Sequence, residues 1–167
     1  MQDISFRQVL DMDYNNIHKW CSEKFVYEWF EQRILSYEEI VHKYKNKILN
    51  SNQEVRIIEY KNKPIGLIQY YPYDKKIEGL NKVMEYDLYI GEEEYLSKGL
   101  GSSIIKFMND LLIADGCDGI ILQPFKRNVR ACHCYENNGF KKIDEYEGLD
   151  TIGNKEVFVV YLYKVGE

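Results

Sequence analysis

The sequence predicts a mixed α/β (α+β) domain, and three observations carry that expectation. Short runs rich in Val, Ile and Tyr alternate with stretches whose apolar residues recur at helical spacing. Gly99-Leu100-Gly101 stands between a strong strand pattern and a strong helix pattern. No repeat, low-complexity tract or Pro/Gly/Ser-rich linker interrupts the 167 residues, so a single domain over residues 1–167 is expected.

Ile4, Phe6 and Val9 begin a first strand, and Ile17, Trp20 and Cys21 mark a helix over 13–21. Ser36 with Glu39 three residues on is a capping box, and Ile40, Val41, Tyr44 and Ile48 form the stripe of the helix it opens, ending near Asn50-Ser51-Asn52. Residues 54–60 and 65–71 read as a hairpin across Lys61-Asn62-Lys63-Pro64. Residues 83–90 are a third strong strand. Gly99-Leu100-Gly101 then opens a helix whose stripe is Ile104, Ile105, Met108, Leu111 and Leu112. Residues 119–123 are a short buried strand, 128–137 a helix stopped by Asn138-Gly139, and 140–146 and 156–163 closing strands.

Hydrophobic residues at 45% and aromatics at 14% exclude a disordered or collagenous chain. With 22 basic and 27 acidic residues the formal charge is −5, which disfavours a nucleic-acid partner and favours a cationic one. No segment reaches the roughly 20 apolar residues of a membrane span, and Met1-Gln2-Asp3-Ile4-Ser5 lacks the pattern of a signal peptide, so a cytoplasmic location is expected. A reducing compartment leaves Cys21, Cys117, Cys132 and Cys134 as thiols. Cys132 and Cys134, two apart on a helix, point to different faces, so no metal site is expected.

In Lys98-Gly99-Leu100-Gly101-Ser102-Ser103 two glycines let the backbone approach a ligand, and the helix that follows aims unsatisfied N–H groups at it. Such a cradle holds a pyrophosphate by amides and helix dipole, so an acidic protein can still take a phosphorylated cofactor. The run lacks the Gly-Lys-Ser/Thr of a P-loop and the third glycine of a dinucleotide fingerprint. The bland alternative is a tight strand-to-helix connection.

Downstream, Asn128-Val129-Arg130-Ala131-Cys132-His133-Cys134-Tyr135-Glu136-Asn137-Asn138-Gly139-Phe140 completes a pattern that resembles the GNAT superfamily of acetyl-CoA-dependent N-acetyltransferases. The run from Met84 to Gly101 is similar to the core of the aminoglycoside 6′-N-acetyltransferases. Lys19-Trp20-Cys21, Trp29-Phe30 and the run from Pro64 to Tyr71 sit in the expected order, so the resemblance covers nearly the whole chain. It implies the GNAT fold, a central mixed, mostly antiparallel twisted sheet flanked by about four helices. It also implies acetyl-CoA as co-substrate, its pyrophosphate on Lys98, Gly99, Leu100, Gly101, Ser102 and Ser103 and its pantetheine arm on Asn128. Two positions depart from the family. Gln123 stands where an acid expected to contact a substrate ammonium is usual, and Leu96 where Gln or Arg is usual.

An alkyl ammonium with a pKa near 10.4 must lose a proton before it attacks a thioester. The resemblance and the placement of an ionisable residue inside an apolar strand make Asp87 the candidate base, directly or through a water, and a substrate contact. Its bland reading is a solvent-facing strand residue. The backbone of Leu88, Tyr89 and Ile90 is the candidate oxyanion site if the strand splays there, and the resemblance makes Tyr135, one of 15 tyrosines, the candidate acid for the leaving thiolate. Trp29 and Gln123 are further substrate-binding candidates. Phe30, Tyr44 and Tyr70 are candidate aromatic faces, and Glu92–Glu94, Asp144, Glu145, Glu147 and Asp150 candidate charges, most of them ordinary surface or core. His18 and His42 receive no role. The functions in play are an aminoglycoside 6′-N-acetyltransferase conferring antibiotic resistance, an acetyltransferase for a polyamine, peptide amino terminus or metabolite, and a non-catalytic acyl-CoA-binding module. A monomer or weak homodimer is expected.

Overall fold

Local sequence chemistry explains most of the elements in the computed structural model, which describes residues 3–50 and 52–167. Seven strands form one sheet in the order β1-β2-β3-β4-β5-β7-β6: β1 Ile4–Gln8, β2 Glu54–Tyr60, β3 Lys63–Pro72, β4 Val83–Ile90, β5 Gly119–Leu122, β6 Lys141–Leu149 and β7 Lys155–Lys164. The helices are α1 Tyr14–Cys21, α2 Lys24–Tyr27, α3 Tyr37–Leu49, α4 Leu100–Ala114 and α5 Val129–Asn137. The helix stop expected at Asn50–Asn52 falls partly on Ser51, and the leader reading partly on Met1 and Gln2; these three residues lie outside the described ones.

The chain divides into two compact units, one comprising residues up to Tyr70 with Asp87–Lys98, the other Tyr71–Tyr86 with Gly99–Glu167. In the first, β1, β2 and β3 pair antiparallel. The β2–β3 turn is tighter than the sequence suggests. Lys61 and Asn62, at φ +51° and +63°, make a two-residue turn, so Pro64 already lies in β3, opposite Glu59 at a register shift where a ladder N–H is dispensable. The core gathers Ile17, Trp20, Ile40, Tyr44, Ile57, Leu67 and Tyr89. The Ser36 box is closed, Ser36 Oγ accepting the Glu39 N–H at 3.1 Å and Glu39 Oε2 accepting the Ser36 N–H at 2.8 Å. The single turn of α2 went unanticipated because four residues display no period, and Ile48, at the margin of the α3 stripe, is exposed.

In the second unit β4 and β5 run parallel, Val83–Glu85 opposite Gly119–Ile121, while β5 with β7 and β7 with β6 are antiparallel. Ile104, Ile105 and Met108 of α4, Tyr86, Ile120, Ile121 and Val159–Tyr161 are buried, whereas Leu111 is exposed. β6 and β7 outrun their expected ends because β6 is largely exposed and charged, leaving no apolar alternation to mark its length. Asp150 closes their turn, its Oδ1 accepting the N–H groups of Ile152 and Asn154.

Candidate active site

Asp87 lies in the middle of β4, half-buried. Gln69 on β3 donates from Nε2 to Asp87 Oδ2 at 3.3 Å, and Gln69 Oε1 accepts from Lys47 Nζ on α3 at 2.6 Å. Burial pulls the Lys47 ammonium below its ordinary value, and the charge of Asp87 works against that pull. One turn earlier, burial brings Lys43 down to about 8, again opposed by Asp87. Lys43 is ion-paired with Glu31. Leu88, Tyr89 and Ile90 follow Asp87 on the same strand, beyond the three-residue register with β5. The Tyr89 ring is buried, its hydroxyl 3.4 Å from Cys21 Sγ, so only the backbone of that residue can serve a ligand.

Several recognition candidates have structural duties. Tyr44 is buried in the core and the Phe30 ring packs at 5.1 Å on Tyr89. Burial alone would raise Glu92, but hydrogen bonds from Trp20 Nε1 at 2.8 Å and Lys19 Nζ at 2.9 Å hold it below the usual carboxylate range. Glu145 takes Lys126 and Lys142. Trp29 is half-buried just after α2, its backbone N–H bonded to the Val26 carbonyl.

At the glycine loop, Lys98 is exposed and Gly99 is the N-cap of α4 at φ +77°, a left-handed conformation that glycine adopts at no steric cost. No side chain caps this helix, and helical geometry gives the N–H groups of Leu100, Gly101 and Ser102 no intrahelical acceptor. A Cβ on Gly99 would meet nothing within 4 Å, so space lies open beside the cap. This arrangement suits an anionic group held by amides. Ser103 is already inside the helix, its N–H 3.4 Å from the Gly99 carbonyl.

The first turn of α4 is tied to the end of α5. Asn138 Nδ2 donates to Ser102 Oγ at 2.9 Å, and a Cβ on Gly101 would lie 3.6 Å from Cys134 Sγ. Helix α5 ends where Gly139, at φ +86°, and Phe140 return their N–H groups to the Glu136 and Tyr135 carbonyls, both at 3.1 Å. That pair of bonds is a Schellman cap, and its usual apolar contact is supplied by the Phe140 and Tyr135 rings at 6.1 Å. Much of the Tyr-Glu-x-x-Gly-Phe pattern is therefore a helix stop that fixes Tyr135, which also packs edge-on against Tyr161. Asn128 is the N-cap of α5, its Oδ1 accepting the Ala131 N–H at 3.2 Å, so the carboxamide NH2 is the end suited to a ligand carbonyl.

Gln123 follows β5. Its Nε2 donates to Glu85 Oε1 at 2.7 Å and its Oε1 accepts from the Tyr146 hydroxyl at 3.0 Å. Glu85, 8% exposed on β4, is the carboxylate beside Gln123. Burial first, then the charge of Glu85, raise both Tyr73 and Tyr146.

Gln69, Lys47 and Glu85 were not anticipated. Signals for them exist in the chain: Gln69 and Glu85 interrupt apolar strand patterns as Asp87 does, and Lys43 and Lys47 fall at i+3 and i+7 from Ile40, on the apolar face of α3. All four cysteines are free thiols. Among the described residues no helix is long and apolar enough to cross a membrane, and no group of three or more His, Cys, Asp or Glu side chains could hold a metal.

Comparison with known proteins gives the same organisation. The profile of the acetyltransferase (GNAT) domain matches residues 9–148. Aminoglycoside N(6′)-acetyltransferase type 1 of Klebsiella pneumoniae is 24% identical over 155 residues, covering 83% of this chain and 74% of the relative. The structure of AAC(6′)-Ib in complex with paromomycin and acetyl-CoA superposes with a TM-score of 0.81 at 21% identity, over 98% of this chain and 94% of the other. Spermidine N-acetyltransferase from Vibrio cholerae, in complex with CoA and spermine, gives 0.80 at 17% identity, over 98% and 96%. With the profile spanning most of its length, the expected fold present and the glycine-led helix in place, the chain belongs to the GNAT acetyltransferase family.

Proposed function

We propose that residues 1–167 form one cytoplasmic catalytic domain that transfers the acetyl group of acetyl-CoA to a primary amine of a small cationic acceptor, foremost the 6′-amine of an aminoglycoside, with antibiotic resistance as the outcome. The observation that carries the transfer chemistry is the uncapped, glycine-led start of α4, tied through Ser102 and Asn138 to the helix that bears Tyr135. Relatives that acetylate aminoglycosides support the acceptor.

In this reading the amides of Gly99–Ser102, with Lys98 and Ser103 beside them, hold the diphosphate, and the Asn128 NH2 takes a carbonyl of the pantetheine arm. Asp87 accepts the proton of the bound ammonium, directly or through a water, and the freed lone pair attacks the thioester carbonyl carbon. Backbone N–H groups of Leu88–Ile90 receive the developing negative charge. When the C–S bond breaks, Tyr135 gives its proton to the thiolate. Trp29 and the Gln123–Glu85 pair contribute to acceptor binding, and the enzyme acts as a monomer or weak homodimer.

A second reading keeps the chemistry with a polyamine acceptor. It is favoured by Gln123, a neutral group already engaged by Glu85 and Tyr146, and by the likeness to a spermidine acetyltransferase. Thiol release from acetyl-CoA with kanamycin, tobramycin, spermidine and a short peptide, with products located by mass spectrometry, separates the readings. Turnover of kanamycin with acetylation at the 6′-amine supports the first. Turnover of spermidine alone replaces it with the second. Binding of acetyl-CoA without turnover of any amine leaves a non-catalytic acyl-CoA-binding module.

A further inference from the structure

The hydrogen bonds from Lys47 through Gln69 to Asp87 can run in only one direction. An ammonium donates and cannot accept, a carboxylate accepts and cannot donate, and a carboxamide has one end of each kind. With Lys47 Nζ at 2.6 Å from Gln69 Oε1, the Gln69 NH2 is the end that must face Asp87, and it reaches Oδ2 at 3.3 Å. Without the ammonium, the carboxamide could turn its oxygen toward the carboxylate, exchanging an attractive contact for a repulsive one. The lysine is placed at an energetic cost. It stands half-buried on the core-facing side of α3, where burial disfavours its charge and Asp87 restores part of the loss.

We propose that Lys47 is a positioning residue for Asp87: it locks the Gln69 carboxamide so that Asp87 is held as a correctly turned carboxylate. This rests on Asp87 being the base of the proposed reaction. Lys43 and Tyr44 on α3 also sense the charge of Asp87, and Lys43 is paired with Glu31. Lys43 lies one turn from Lys47 and also senses Asp87, but has its own partner in Glu31, so Lys47 is the cation that acts through Gln69.

The test uses the full chain with Lys47→Met, Lys47→Arg and Asp87→Asn, read in two ways. In 15N–1H spectra without substrate, the Gln69 side-chain amide resonances should move in Lys47→Met and in Asp87→Asn and stay near their wild-type positions in Lys47→Arg. In turnover with acetyl-CoA and whichever of kanamycin or spermidine is accepted, Lys47→Met should lower kcat about tenfold, the order of one charge-assisted hydrogen bond. The KM for acetyl-CoA should not change. Lys47→Arg should recover most of the rate. Gln69 resonances that ignore Lys47→Met, or equal losses of kcat in the Met and Arg variants, would overturn the proposal. Full turnover by Asp87→Asn removes the base assignment alone, since the amide resonances report the relay without turnover.

Discussion

Gly66 faces the carbonyl of Tyr89 so closely that a Cβ there would stand 2.1 Å from the oxygen and 3.0 Å from the Ile90 Cα. Both obstacles are backbone, which cannot rotate away as a side chain can. The contact therefore presses β3 against the stretch of β4 that carries the candidate oxyanion amides. Gly66→Ala must push that stretch aside, and a loss of about 1–3 kcal/mol is expected from such overpacking. Thermal unfolding should show a midpoint several degrees lower, and kcat should fall by more than the folded fraction explains. An unchanged midpoint would mean the strands can part freely at this point.

Gly101 separates the cofactor role of the glycine loop from its structural role. It sits at the second position of α4, where a Cβ would make only ordinary contact with Cys134 Sγ at 3.6 Å. Ala is the better helix former by about 1 kcal/mol, so Gly101→Ala should unfold at the same temperature or higher. If the amides meet a diphosphate at close range, the same methyl should weaken acetyl-CoA binding about tenfold, measured by calorimetry. A more stable variant that binds acetyl-CoA as well as the wild type would leave the loop a mere connection.

The features legible in the chain are those whose causes are local. Ser36 and Glu39 announced their helix because both halves of the box lie within four residues, and Asn138-Gly139 announced a stop because the cap needs a left-handed residue at that point. Asp87 drew attention as an ionisable residue within a strand pattern, although Glu85 two residues earlier carries the same local signal. What could not be read depends on distant pairing. Gln69 and Asp87 are 18 residues apart, Lys47 and Gln69 22, and Gln123 and Glu85 38, and each pair meets only through strand register or helix docking. Glu92 illustrates the converse error: it resembles free surface charge in the sequence, yet Trp20 and Lys19, more than 70 positions earlier, hold it.

Acid stability should depend on Glu39. Its hydrogen bonds from Arg33, and then from the Ser36 N–H, lower the carboxyl from its ordinary 4.5 to about 2. A carboxyl depressed in the folded state contributes stability above its unfolded value and loses it as the pH falls toward the folded one. Helix α3 should therefore weaken as the pH drops from 4.5 to about 2. Urea unfolding of the wild type and Glu39→Gln across that window should show a steeper fall for the wild type, with the curves converging at the acid end. Parallel curves would show that ionisation of Glu39 adds no stability to α3.

Position 123 offers a test of the Gln123–Glu85 pair. Glu85 is buried and already accepts the Gln123 amide at 2.7 Å, so Gln123→Glu would bring two carboxylates within hydrogen-bond distance. Like charges so placed cannot both stay ionised, and one carboxyl takes a proton with its pKa raised. Forcing that proton at neutral pH should destabilise the fold by about 1–3 kcal/mol, comparable to breaking a buried hydrogen bond. The deficit should shrink on acidification, because the variant's folded state then binds its extra proton readily. Denaturant midpoints for Gln123→Glu and wild type at neutral and mildly acidic pH give the sign directly. A deficit that grows at lower pH would mean that Glu85 and residue 123 do not share a site, and would also remove this pair from acceptor binding.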